Sequence, residues 1–222
     1  MLGALDTLVR QGKVRYVGVS NFSGWQLMKT LGIAERDHLP RFVSQQIYYS
    51  LQCRDAENEL LPAAHDQGLG VLVWSPLAGG LLSGKYSRRT DGRLEGPSGS
   101  RQMSDWSEPP IDAPDRLFAT IDVLREVADG YGVSPAQVAL AWLLARPTVT
   151  SAIVGARTDE QLADNLAAAS LGLTRDDIER LEAVSRAPLP YPHWHQLATA
   201  SERLGAADRI PLGPHLRSNA SS

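Results

Sequence analysis

The residues best suited to chemistry in this chain stand where short apolar runs end. Gly70-Val71-Leu72-Val73 is such a run and reads as a strand buried on both faces. Trp74, Ser75, Pro76 and Leu77 follow it, then Gly79, Gly80, Gly84 and Lys85. An aromatic plate, consecutive glycines that let a backbone turn sharply or approach a ligand, and a cation make a cradle for a flat ring with a charged tail. A second group begins at Gly155-Ala156-Arg157-Thr158 and runs into Asp159-Glu160-Gln161, which matches a capping box. Helix N-termini present free N–H groups and the positive end of the dipole, so they favour phosphate. Arg157 adds a cation able to bind in bidentate fashion, and Gln161, Asp164 and Asn165 fall on one face a turn further in. From residue types alone, this second group reads equally as an exposed polar helix start.

Two more run ends carry polar groups. Ser20-Asn21 closes Val14–Ser20, and an asparagine amide both donates and accepts, which suits a carboxamide. An ordinary strand-to-helix turn would read the same way. Phe42–Tyr48 carries Gln45 and Gln46 and runs into Tyr49. Alternation puts Gln46 and Tyr48 on one face and Gln45 and Tyr49 on the other. A glutamine buried in a strand needs partners, so one of the pair is expected to face a polar ligand or cavity.

The elements that position these groups alternate. Helices are expected over residues 2–11, from Ser23 to near Arg36 (with Ser23 and Gln26 as a capping box), over Asn58–Gln67, over 115–129, from Ser134 to about Ala145 (with Ser134 as N-cap and Gln137 closing a capping box), from Thr158 to about Ser170, and over Thr174–Ser185. Strands are expected over Val14–Ser20, Phe42–Tyr48, Leu69–Ser75 and Thr150–Gly155. Four strands alternating with helices imply a parallel α/β sheet, and periodicity alone fits either part of a (β/α)8 barrel or a small open sheet. Residues 86–113 hold several Gly and Pro and little apolar periodicity, and are expected to form a mobile loop over the strand ends. One domain is expected over 1–187, with residues 188–222 an extended or frayed tail. The first helix has no capping residue before it, which hints that the chain begins inside a larger fold.

Composition narrows the function classes. The chain has 222 residues, 43% hydrophobic and 21% charged, with a formal net charge of -3. That balance gives no reason to expect nucleic acid or an anionic membrane as partner. The single cysteine, Cys53, rules out a disulfide framework or a multi-cysteine metal site within the chain. No apolar run approaches the roughly 18–20 residues of a membrane span, and no signal-peptide pattern opens the chain, so a cytoplasmic location is expected.

The run Trp74-Ser75-Pro76-Leu77-Ala78-Gly79-Gly80-Leu81-Leu82-Ser83-Gly84-Lys85-Tyr86 closely resembles the seventh strand and following loop of the aldo-keto reductases, in the branch with bacterial reductases and potassium-channel beta subunits. The resemblance extends from Leu2 to about Arg186. It implies a TIM-type (β/α)8 barrel of which only the last four βα units are present, and an NADP cofactor used to reduce aldehydes or ketones. By that resemblance Ser20, Asn21 and Gln46 hold the nicotinamide carboxamide, Gln46 being selected by the match to Gln-x-x-Tyr-Asn/Ser-Leu-x-x-Arg. Trp74 stacks on the ring, while Ser75, Pro76, Leu77, Gly79, Gly84 and Lys85 cross the pyrophosphate. Arg157 and Thr158 lie at the adenosine 2′-phosphate, Gln161, Asp164 and Asn165 surround the adenine, and Gly155 is a further cofactor-binding residue.

The family's tyrosine, lysine, aspartate and histidine lie on its first four strands, and no substitute is found here. Tyr131 follows Asp129 at the wrong spacing, and His193 and His195 lack a third ligand nearby. The catalytic assignment is therefore none. Four strands taken from a barrel would leave two unpaired edges. Three accounts fit: a piece of a longer reductase or one with a late start, a cofactor-binding remnant without catalysis, or a module that self-associates through its sheet edges.

Overall fold

The computed structural model describes residues 1–103 and 109–219. Residues 104–108 of the expected loop and 220–222 of the tail lie outside the described residues. In chain order the elements are α1 (Leu2–Arg10), β1 (Val17–Ser20), α2 (Gly24–Arg36), β2 (Phe42–Tyr48), α3 (Leu60–Gln67), β3 (Gly70–Trp74), β4 (Ser87–Arg88), β5 (Leu94–Glu95), α4 (Pro114–Tyr131), α5 (Pro135–Leu144), β6 (Ser151–Ile153), α6 (Asp159–Ala167), α7 (Arg175–Ser185), α8 (His193–Thr199) and α9 (Arg209–Asn219). The fold is α/β, with a four-stranded sheet in the order β1-β2-β3-β6. The chain divides into two compact units. One holds residues 1–47, 55–72 and 188–222, the other 48–54 and 73–187.

In the first unit β1 and β2 pair in parallel, with Ser20 opposite Gln46. Their close approach depends on Gly18, where a Cβ would fall 2.5 Å from Ser44 Oγ. The expected capping box opens α2, where Gln26 Oε1 accepts from both the backbone N–H and the hydroxyl of Ser23 at 3.0 Å. Leu27, Leu31 and Ala34, at helical spacing, bury one face of α2, and Phe42, Ile47, Leu61, Ala64 and Val71 complete the core. The tail departs from expectation. It carries α8 and α9 rather than an extended segment, and Leu212 of α9 is fully buried. His193 of the tail is buried with Nε2 3.9 Å from Glu59 Oε1. Among the described residues no three ligating side chains gather.

In the second unit α5 is apolar around its whole circumference and is accordingly central: Ala136 and Val138 to Leu143 are all buried. It packs against α4 and α6, and α4 packs against α7. The stretch 86–113, expected to be structureless, holds the antiparallel ribbon β4–β5 and a single turn of 3-10 helix at Arg101–Met103. Tyr86 at its start is fully buried, and Arg125 of α4 donates to the carbonyls of Gly84 (3.0 Å) and Tyr86 (2.8 Å). Those bonds fasten the beginning of the segment to a helix.

Tyr131 has a structural task rather than a catalytic one. Its hydroxyl donates to Asp177 Oδ2 at 2.8 Å and accepts from the backbone N–H of Thr174 at 3.0 Å. Thr174 caps α7, donating to Asp177 Oδ2 at 2.5 Å and accepting from the Asp177 N–H at 3.2 Å. Tyr131→Phe is expected to cost about 1 kcal/mol of stability, read by urea unfolding. The Thr174 hydroxyl is the largest influence holding the Asp177 carboxyl below the usual carboxylate range, helped by the Tyr131 hydroxyl, the Thr174 backbone and Arg180 against the opposing effect of burial. A depressed folded-state pKa contributes stability above the unfolded value, near 4, and loses it as pH falls through the folded value. The stability gap between wild type and Asp177→Asn should therefore be full at pH 7 and shrink progressively below about pH 4.

Candidate functional site

β3 ends at the site. Val71 and Val73 point into the core, whereas Gly70, Leu72 and Trp74 on the other face are only half-buried. The strand is thus closed on one face, not on both as its apolar run suggests. The Trp74 ring leans on Tyr48, with centroids 5.0 Å apart and planes tilted by 33°. Tyr48 is held in turn, its hydroxyl donating to Gln52 Oε1 at 2.7 Å and accepting from Ser50 at 3.2 Å. Immediately beyond Trp74, Ser75 sits at φ 50°, an unusual conformation for a residue with a side chain. Its hydroxyl accepts from the Gly79 N–H at 3.0 Å and closes the turn. Gly79 and Gly80 continue it at φ 63° and 93°, and a Cβ at Gly80 would fall 2.9 Å from Lys85 Nζ. The bare backbone there is what admits the lysine.

At the other side of this unit Thr158 caps α6, its hydroxyl accepting from the Gln161 N–H at 3.3 Å. The Gln161 side chain does not complete the box on Thr158. Its Oε1 accepts instead from the Arg157 N–H at 2.9 Å, which fixes the approach of the chain to the helix. Ser134 caps α5 as expected, accepting from the Gln137 N–H at 3.1 Å. The Gln137 side chain, expected to close a capping box, reaches Asp164 Oδ1 at 2.5 Å, and Ser134 Oγ donates to Asp164 Oδ2 at 2.6 Å.

These groups surround one open cavity of about 830 Å3. Of the residues singled out in the sequence, Trp74, Ser75, Pro76, Leu77, Gly79, Lys85, Gly155, Arg157, Gln161, Asp164 and Asn165 line it. Lys85 and Arg157 are exposed on it, and Asp164 and Asn165 are half-buried. Gly84 and Thr158 are not among its lining residues. A Cβ at Gly84 would meet Pro135 at 2.8 Å, so Gly84 lets the loop pass the start of α5. Gly80 of the glycine pair lines it too, and residues the sequence did not single out also face the cavity, among them Ser83, Ala136 and the segment Pro97–Ser100 of the expected loop.

Ser20, Asn21 and Gln46 belong to the first unit and meet one another there. The Asn21 N–H donates to the Gln46 carbonyl at 3.1 Å, and Asn21 sits at φ 56°. Of the two adjacent glutamines, Gln45 is buried with its Nε2 on the Leu60 carbonyl at 2.6 Å, whereas Gln46 is half-buried. Tyr49 is fully buried, its ring centroid 5.7 Å from that of Trp142.

The aldo/keto reductase family profile matches residues 1–186. The chain is 40% identical over 185 residues to the uncharacterized oxidoreductase YrpG of Bacillus subtilis, an alignment covering 83% of this chain and 53% of that protein. It is 34% identical over 182 residues to the versiconal hemiacetal acetate reductase of Aspergillus parasiticus, covering 82% and 51%. A probable voltage-gated potassium channel subunit beta of Oryza sativa subsp. japonica is 32% identical over 184 residues, covering 82% and 55%. The chain spans about half the length of the curated relatives it matches.

Proposed function

Because the chain belongs to the aldo/keto reductase family, we propose that it is the NADPH-binding part of a carbonyl reductase, built from the last four βα units of a TIM-type barrel. The observation that carries this reading is the shared cavity of about 830 Å3. It lies within the size range of small-molecule sites and is lined by the Trp74–Lys85 loop and the Gly155–Asn165 helix start.

The residues present fit a phosphorylated dinucleotide. At Gly80, where a Cβ would meet Lys85 Nζ at 2.9 Å, the bare backbone brings that cation against the loop assigned to the pyrophosphate. Lys85 and the exposed Arg157 supply cations to phosphate groups, Arg157 serving the 2′-phosphate beside the Thr158-capped start of α6. Gln161, Asp164 and Asn165 take the adenine. Trp74, braced by Tyr48, is the plate for the nicotinamide ring, and Ser20, Asn21 and Gln46 are the partners of its carboxamide. A bound nicotinamide cofactor would supply the hydride for an aldehyde or ketone; this chain's own residues bind and orient it. No residue of the chain is assigned to protonate the carbonyl oxygen, so the 222-residue chain alone is expected to turn over no substrate.

Titration of the purified chain with NADPH, followed by tryptophan fluorescence, tests this. Saturable quenching that is weaker with NADH is the expected result. Absence of saturable binding at millimolar NADPH would overturn the reading.

A further inference from the structure

We infer that the outer face of α2 is a self-association surface, on which a second copy of this chain seats its own α2 in the antiparallel direction. Leu27, Leu31 and Ala34 turn one side of the helix into the core. On the side away from them, Trp25, Met28, Lys29, Gly32, Glu35 and Arg36 fall at three- and four-residue spacing and form one stripe. All six are exposed, and Trp25 and Met28 keep 66% and 42% of their surface in solvent. Apolar side chains scattered singly over a surface need no explanation. Here the two are neighbours on one helix face, one turn from a glycine. None of the six lines the cavity, so the inference stands apart from the cofactor reading.

Gly32 selects the kind of partner. Glycine is a poor residue for a helix interior, and a Cβ at Gly32 would have nothing within 4 Å. The packing of α2 in its own chain therefore does not call for it. What the bare backbone supplies is a notch between Met28 and Glu35, where a second helix can approach closely. Trp25 is held ready beside it, with Lys29 Nζ 5.9 Å from its ring centroid, so little side-chain freedom is lost on docking.

Charge sets the direction. Neither Lys29 nor Glu35 belongs to an ion pair among the described residues. Arg36 is engaged by Asp37 at 2.7 Å, which leaves the last turn net negative at the negative end of the helix dipole. An antiparallel partner lays Lys29 over that turn, and two-fold symmetry repeats the contact, giving two Lys29–Glu35 pairs about Gly32. A parallel partner would set like charges side by side. One helix stripe is smaller than a standard interface, so the dimer is weak and reversible.

Sedimentation velocity of the full chain from about 10 μM to about 1 mM tests this. Wild type should pass from monomer to dimer over that range and grow no further. Gly32→Gln fills the notch with a good helix former, so the Tm should hold or rise while the dimer Kd rises at least about tenfold. Lys29→Glu and Glu35→Lys should each weaken the dimer about threefold or more, and the double swap should return it to within about twofold of wild type. A role confined to one helix gives no such restoration, because residues six apart do not face each other on α2. A chain that stays monomeric at about 1 mM overturns the inference. So does a dimer that Gly32→Gln leaves unchanged, as one built on the sheet edges would be, and so does a double swap no tighter than the weaker single variant.

Discussion

Arg157→Glu is expected to weaken NADPH by about 10–100-fold while changing NADH by no more than about threefold. Arg157 is exposed on the cavity, directly before the Thr158 cap of α6. A guanidinium matches a phosphate in bidentate geometry, and such charge-assisted bonds are the stronger kind. The reversal removes that attraction and adds a repulsion, both directed at the one group that distinguishes the two nucleotides. It should leave the helix intact for two reasons. The bond from residue 157 to Gln161 uses the backbone N–H, which glutamate retains. A carboxylate at a helix N-terminus is also favoured by the dipole. Salt gives a second check, because the NADPH advantage of wild type should narrow as ionic strength rises while that of the variant, already lost, should not. If both nucleotides weaken equally, Arg157 does not meet the 2′-phosphate.

Most of the candidate site was legible because its parts are local. A strand end, a pair of glycines and a capped helix start each declare themselves within about ten residues, as Trp74–Lys85 and Gly155–Asn165 do. What escaped notice depends on pairs far apart in the chain. Gln137 reads as the closing residue of a capping box, and only its spatial neighbour Asp164 reveals another use. Gln161 is a parallel case, its side chain diverted to Arg157. Backbone strain is equally silent in the sequence. Asn21 and Ser75 both end strands at positive φ, and a serine in particular gives no sign of it.

In the fold, β2 has the expected bounds, and period-two alternation holds over its second half, Gln45 and Ile47 being buried and Gln46 and Tyr48 half-open. The β4–β5 ribbon was not legible, since Ser87–Arg88 and Leu94–Glu95 are too short to show any period. The tail misled through composition. Pro211, Gly213 and Pro214 argue against a helix on propensity, but α9 forms with Leu212 fully buried and packs on α3. Docking of an apolar face outweighs weak local preference in such short helices.

The largest loss of stability is expected from Trp142→Ala, about 3–5 kcal/mol in urea unfolding. Trp142 is fully buried in α5. The Arg54 and Arg146 guanidinium carbons lie 5.4 and 4.9 Å from its ring centroid, and Tyr49 packs at 5.7 Å. Both arginines are anchored independently of the ring. Arg54 donates to the Glu182 carbonyl at 3.0 Å and to Ser185 Oγ at 3.1 Å, and Arg146 pairs with the Glu182 carboxylate. Truncation therefore leaves a cavity beside two charged groups that cannot simply collapse into it, the situation in which a large-to-small change is most costly. Trp142→Phe separates packing from polarity. It keeps a ring face for the arginines and Tyr49, and it deletes an indole N–H that is buried without a partner among the described residues. The phenylalanine variant should accordingly lose less than half of what alanine loses, because removing an unpaired buried donor offsets part of the smaller ring volume. A typical domain has only about 5–15 kcal/mol in total, so the alanine variant should be partly unfolded at 37 °C. Since α5 carries Ser134 and Ala136 on the cavity wall, nucleotide binding should fail with it. An alanine variant that loses under about 1 kcal/mol would mean that the bonds of Arg54 and Arg146 to Glu182 and Ser185, and not the ring, hold this part of the core.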